Sequence, residues 1–222
     1  VKIGISPDEM GSLEHSIIEE YFTENEYYES ESLKNKCSAK LIEHVKNRNS
    51  IISYKEQQEV LFELVEYTFN GLDFLYQLKK NRPNAKINFE HSINENQWNL
   101  KGYIDVLIEE NNNLEIYDFK RSSASVGSKK ALESYEKLQL WIYSLAMNSS
   151  LKPVSKMGYV NISEIDKKTE MNLTQADLDT FSDYLNKLIT RFEGDEEYFA
   201  NPRKDDVCNY CPIRKICSKG VN

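Results

Sequence analysis

Residues 114–123 read LEIYDFKRSS, an alternating apolar run of strand type that nevertheless carries an acid at Asp118 and, two places on, a lysine at Lys120. A second acid, Asp105, stands upstream in GYID, and Asn111, Asn112 and Asn113 supply a turn between the two segments. A two-residue loop at Asn111 and Asn112 would set Asp105 directly opposite Asp118, whereas a loop of all three asparagines would shift the pairing by one unless a bulge restores it. Lys120 would then share their face, because side chains two apart on a strand point the same way. Like charges across a ladder destabilise it, and burying them unpaired costs about 3–5 kcal/mol. A divalent cation between the carboxylates would offset that cost. Hard oxygen ligands suit magnesium or manganese, with coordination places left for water and a phosphate. A nearby lysine could orient the water and offset charge developing on the phosphate. The competing reading is an ordinary Asp118–Lys120 ion pair at a sheet edge.

The elements that must position these residues are legible as a change of period. Leu13, Ile17, Ile18, Tyr21 and Phe22 recur at helical spacing after Gly11, as do Leu33, Cys37, Leu41 and Val45. A third helix is expected over 55–80, ended near Pro83. From Ile87 the pattern turns to strands over 86–93, 98–110 and 114–122. A helix follows from Lys129 to Met147, then a strand over 156–163, and Thr174 with Asp177 reads as a capping box opening a helix to about Phe192. The strand, helix and strand between 114 and 163 predict a right-handed parallel crossover. The expected fold class is α/β, a mixed central sheet flanked by helices, with a helical N-terminal third.

With 28 basic and 36 acidic residues the net charge is -8, so no overall positive field marks a nucleic-acid binder. Any DNA contact would use a local basic track, for which Lys79, Lys80, Arg82, Lys120, Arg121, Lys129 and Lys130 are candidates. There is no long apolar run to span a membrane and no signal-peptide core, so a cytoplasmic protein is expected. The opening Val1 suggests a piece of something longer.

Four short motifs stand in order: GSLEH with Gly11 and His15, GYID with Gly102 and Asp105, DFK with Asp118 and Lys120, and QLWIY with Gln139 and Tyr143. Read alone, His15 is a helix histidine satisfied by a neighbour such as Glu19, and Gln139 and Tyr143 merely share a helical face. As an ordered set, the four resemble the PD-(D/E)XK nuclease superfamily, in particular its RecB-like branch of helicase-linked repair nucleases and CRISPR-associated exonucleases. The resemblance spans about residues 11 to 217. It implies a restriction-endonuclease-like core, with Asp105, Asp118, the main-chain carbonyl of Phe119 and His15 holding Mg2+ or Mn2+, and Lys120 as the catalytic lysine. Gln139 and Tyr143 would lie beside the site, contacting the substrate strand or the catalytic groups, with Glu90 in support. The domain organisation it implies is a single nuclease domain over 1–222. Its parts are a helical segment 1–83, a core 84–195 and a cysteine-bearing tail 196–222.

That tail reads CNYCPIRKIC, with Cys208, Cys211 and Cys217. Thiolates at such spacing can wrap an iron–sulfur cluster or zinc, or remain free. The resemblance points to the C-terminal part of an iron–sulfur staple, whose fourth cysteine lies upstream of the G-x-x-x-H helix in relatives. The remaining cysteine, Cys37, falls on an apolar helical stripe and reads as core.

The expected function is metal-dependent hydrolysis of DNA phosphodiesters, exonucleolytic, on single strands or DNA ends, in repair or recombination. A helicase or the rest of a larger chain is the expected partner. Two other classes stay open: a catalytically silent nuclease-like scaffold that binds DNA, and a thiolate-metal interaction module.

Overall fold

The computed structural model describes residues 2–48, 50–95, 100–122, 124 and 138–193. Two short strands, β1 (Lys2–Ile3) and β2 (Ser50–Ile51), pair in parallel and bracket α1 (Pro7–Glu24) and α2 (Ser30–Asn47). The third helix, α3, runs Tyr54–Asn81. Helix α1 begins where it does because Ser6 and Glu9 form a capping box behind Pro7. The Ser6 hydroxyl accepts from the Glu9 amide, and the Glu9 carboxylate accepts from the Ser6 amide at 2.9 Å. Glu20 of α1 lies between Lys36 and Lys40 of α2, 3.0 Å from the former; desolvation raises its carboxyl, but the two ammonium groups together outweigh it and hold the carboxyl down at about 2.

A five-stranded mixed sheet follows: β3 (Lys86–Glu95), β4 (Leu100–Glu110), β5 (Asn113–Lys120), β6 (Val154–Asn161) and β7 (Lys168–Asn172), in that spatial order. All neighbours are antiparallel except β5 and β6, whose parallel pairing bears out the expected crossover. Its described helix is α4 (Gln139–Met147), while residues 129–137 of the expected helix lie outside the described residues. Strand β7 was absent from the sequence expectation for a physical reason. Its stretch KTEMN is an exposed edge with a single apolar side chain, so it carries no alternation to read.

Thr174 and Asp177 form the expected box at the start of α5 (Gln175–Glu193), with the Asp177 carboxylate accepting from the Thr174 amide at 3.0 Å. Residues 1–181 and 182–222 make two compact units, and of the second only 182–193 are described. Among the described residues no helix is long and apolar enough to cross a membrane.

The sheet separates two apolar layers. Val106, Ile108, Tyr117, Phe119, Val160 and Ile162 join the helical core of Ile17, Ile18, Leu64, Leu72 and Leu75. On the other side, α4 packs against β3, β5 and β6, with the Ser144 hydroxyl 3.6 Å from Met157 Sδ. The tight point is Gly158 on β6. The Tyr117 ring reaches from β5 across it so that its hydroxyl donates to Glu170 of β7 at 2.6 Å. A Cβ on Gly158 would stand 2.9 Å from both that ring and the Thr169 carbonyl oxygen. Backbone cannot move aside, so Gly158→Ala should destabilise the fold by about 1–3 kcal/mol. Chemical denaturation checks this, and an unchanged midpoint would contradict it.

Candidate active site

The β4–β5 hairpin turns at Asn111 and Asn112, both left-handed at φ 50° and 61°, as a two-residue loop requires. Asparagine tolerates that conformation, which is why the triplet is a turn signal. The resulting register runs from Glu110 opposite Asn113 to Val106 opposite Tyr117. One step further, Asp105 and Asp118 face each other but leave the ladder. The Asp105 carboxylate instead accepts a hydrogen bond from the Phe119 amide at 2.8 Å. The expected opposition is therefore present as a side-chain relationship rather than as a regular pair.

The cause lies one strand over. On β3 the ladder to β4 pairs Phe89 with Val106 and His91 with Ile104, and Glu90 with Asp105 drops out between them. Glu90 is left-handed at φ 43°. Side chains two or four apart should share a face of a strand. Yet a Cβ on Gly102 would meet the Tyr143 ring of α4, while Val106 packs into the core shared with α1, α2 and α3. The alternation slips at the Glu90–Asp105 step, and local irregularities of this kind re-aim side chains beside functional sites.

The re-aimed groups converge with α1. His15 Nε2 lies 3.7 Å from Asp105 Oδ2, and His15 Nδ1 lies 3.7 Å from Glu90 Oε1. The imidazole stands edge-on to Phe119, with ring centroids 5.7 Å apart. One ligand atom each from His15, Glu90 and Asp105 fall within 4.8 Å of one another. The ordinary helix partner suggested for His15, Glu19, is therefore replaced by two strand acids. Glu90, which the sequence offered only as support, stands in the cluster itself, and the signal that would have promoted it is a backbone angle that no sequence pattern carries.

Asp118 is held by a second set of contacts. Its side chain is 3% exposed, with Oδ2 2.6 Å from Lys120 Nζ, and Oδ1 accepts from Gln139 Nε2 at 2.7 Å. Lys120 Nζ also donates to Gln139 Oε1 at 3.3 Å, and Gln139 Nε2 reaches the Tyr143 hydroxyl at 3.4 Å. The Q-x-x-x-Y face of α4 thus contacts the acid and the lysine directly. Gly102 lets this happen, since a Cβ there would lie 3.0 Å from the Tyr143 hydroxyl. Gly11, by contrast, meets nothing within 4 Å. The Lys120 side chain stays 37% exposed, so its ammonium can reach solvent and a substrate.

Electrostatically the cluster calls for positive charge. Burial, reinforced by Asp118, pushes the Asp105 carboxyl up to about 7 against the pull of His15 and the Phe119 amide. Burial also raises Asp118, with Lys120 opposing it. Burial alone would lower His15, but Glu90, Asp105 and Asp118 together hold it above the usual imidazole value. The buried Asp118 and partly buried Asp105 carboxylates, a third acid and an imidazole make a donor set that fits a hard divalent cation.

Not every expected residue joins. Arg82 is committed to Glu110 and Glu115 at 2.7 and 2.8 Å, and Arg121 to Glu14 and Glu63 at 3.3 and 2.9 Å, so neither is a free phosphate ligand. Lys79 donates to the Ala85 carbonyl oxygen at 2.8 Å. Lys129, Lys130, Cys208, Cys211 and Cys217 lie outside the described residues. Cys37 is buried beside Thr68, its thiol pushed up to about 11 by burial, which suits packing and not ligation. A cavity of about 280 Å³ between α3 and the β6–β7 edge lies on the helical-core face of the sheet. Its charges are largely paired already, so the chemistry resides at the carboxylates and not there.

The family model of the PD-(D/E)XK nuclease superfamily matches residues 2–218, and the chain belongs to that superfamily. Membership supports hydrolysis of nucleic acid, and the five-stranded mixed sheet with flanking helices is consistent with its restriction-endonuclease-like fold. A solved structure titled "Crystal structure of SSO0001" is similar over 95% of this chain and 96% of its own, at 19% identity and a TM-score of 0.33. No curated protein matches the chain significantly.

The Glu90 backbone generates a prediction. In an ordinary strand glycine is less stable than alanine by about 0.5–1 kcal/mol. At a left-handed position a Cβ costs about 1–2 kcal/mol. Glu90→Gly should therefore be more stable than Glu90→Ala by about 1 kcal/mol in thermal or chemical unfolding, and the ordinary order would contradict the left-handed assignment.

Proposed function

We propose that this chain is a divalent-metal-dependent deoxyribonuclease of the RecB-like branch, acting as an exonuclease on single-stranded DNA or DNA ends in repair or recombination. The observation that carries the reading is the convergence of His15, Glu90 and Asp105 beside the Asp118, Lys120 and Gln139 network. Superfamily membership supplies the nuclease class. The branch, the substrate and the biological role rest on the four ordered motifs.

In this reading His15, Asp105, Asp118 and the Phe119 carbonyl hold Mg2+ or Mn2+, with Glu90 added to the set. When bound, such an ion lowers the pKa of water and offsets charge on the phosphate. The protein's own groups do the rest. Asp118 is fixed by Gln139, so its carboxylate needs no reorganisation when substrate arrives. Lys120 lies 2.6 Å from Asp118 and is open to solvent, positioned to orient the attacking water and to stabilise negative charge on the phosphate. Tyr143 backs Gln139 from the next turn of α4. Residues 1–222 would act as one nuclease module beside a helicase or within a larger chain. Cys208, Cys211 and Cys217 would supply three of the four thiolates of an iron–sulfur cluster that is incomplete in residues 1–222, so iron and sulfide analysis should find this chain empty or only weakly loaded.

The test is degradation of labelled single-stranded, double-stranded and circular DNA. Linear DNA should be degraded with Mg2+ or Mn2+, circular DNA should resist, and chelator should abolish activity. Calcium should support little turnover, its looser geometry placing the water poorly. Asp118→Ala and Lys120→Ala should each lose at least about 100-fold in turnover while keeping the fold. Undiminished cleavage in chelator, or near-wild-type turnover in either variant, would sink the reading.

A further inference from the structure

The candidate site is divided between secondary elements. Asp105 lies on β4, Asp118 and Lys120 on β5, and His15 on α1. It survives only if α1 keeps its place against the end of β5. A direct link between those two elements is Glu14 with Arg121. Glu14 immediately precedes His15, and Arg121 immediately follows Lys120. Glu14 is fully buried, and neither of its oxygens has a hydrogen-bond partner among the described residues. Arg121 Nε stands 3.3 Å from Glu14 Oε1. The rest of the guanidinium is fixed as well, with Nη2 donating to Glu63 Oε2 of α3 at 2.9 Å and the Tyr67 ring 5.0 Å from Cζ.

A buried ion pair is a weak stabiliser. Well-packed apolar residues of similar volume often do as well or better, because two charges must be taken out of water. What a fixed guanidinium adds is geometry, since it is tied to one place while apolar contacts tolerate sliding. From this we infer that the Glu14–Arg121 pair positions His15 against Asp105, and so sets the divalent-cation affinity of the site. This inference rests on the metal-site reading above. Neither residue touches the reacting groups, so both are positioning residues. Removal of partners that orient metal ligands typically weakens metal binding by about 10- to 100-fold.

The experiment is calorimetric titration of the full chain with Mn2+, without DNA, paired with thermal unfolding. The double variant Glu14→Leu/Arg121→Met should melt at or above the wild-type temperature, yet bind Mn2+ about 10- to 100-fold more weakly. Arg121→Lys retains a cation for Glu14 but loses the planar fork to Glu63 and the stacking on Tyr67, and should fall between the two. A folded double variant with wild-type Mn2+ affinity overturns the inference. Should the double variant not fold, wild-type affinity in Arg121→Lys overturns it equally. A wild-type chain that binds no Mn2+ at all overturns the metal-site reading itself, an outcome distinguishable from failure of the positioning pair alone.

Discussion

Two carboxylates forced together where the β4–β5 ladder ends are the constraint that the surrounding elements have to meet. Asp105 and Asp118 are both raised by burial, and Asp118 pushes Asp105 further. A hairpin that placed two acids this way with nothing around them would come apart. Three neighbouring elements answer that repulsion, α1 with the His15 imidazole, β5 with the Phe119 amide and the Lys120 ammonium, and α4 with the Gln139 amide, while β3 adds the Glu90 carboxylate to it. The donors already present hold the pair together without neutralising it, which leaves Asp105 still elevated to about 7.

The sheet topology follows from the same need. A parallel step between β5 and β6 requires a crossover, and the crossover carries α4 back over the sheet face where Asp118 points. Gly102 lets that helix come close enough for Gln139, backed by Tyr143, to reach Asp118. On the opposite side the three long helices bury the other face, and α1 brings the His15 imidazole to Asp105. The slip at Glu90 and Asp105 is what turns the carboxylate toward that imidazole. Strain at Glu90 is thus local, and the surrounding ladder, regular on both sides, holds it in place.

Much of this was legible in the sequence, and the reasons are local. The Asn111–Asn112 turn fixed the hairpin register because loop length and conformation decide it. The spacing of Gln139 and Tyr143 gave one helical face, and Thr174 with Asp177 gave a helix start. What was not legible depends on partners far along the chain. Arg82 and Arg121 read as basic residues available to phosphate, and only the fold shows them bound to Glu110, Glu115, Glu14 and Glu63. Glu90 carried no motif, since its importance comes from a left-handed backbone opposite Asp105. Strand β7 carried no alternation, since it is an exposed edge whose pairing with β6 does the work.

In the proposed function, the residues gathered where the β4–β5 ladder ends form one divalent-cation site. Crystals of this chain soaked in Mn2+ and measured at a wavelength where manganese scatters anomalously test it most directly. A peak bounded by His15, Asp105 and Asp118 is expected, with Glu90 within reach and the Lys120 ammonium beside it. A map with no peak there, or a peak held by other residues while these carboxylates remain paired only to Lys120, Gln139 and the Phe119 amide, would contradict it.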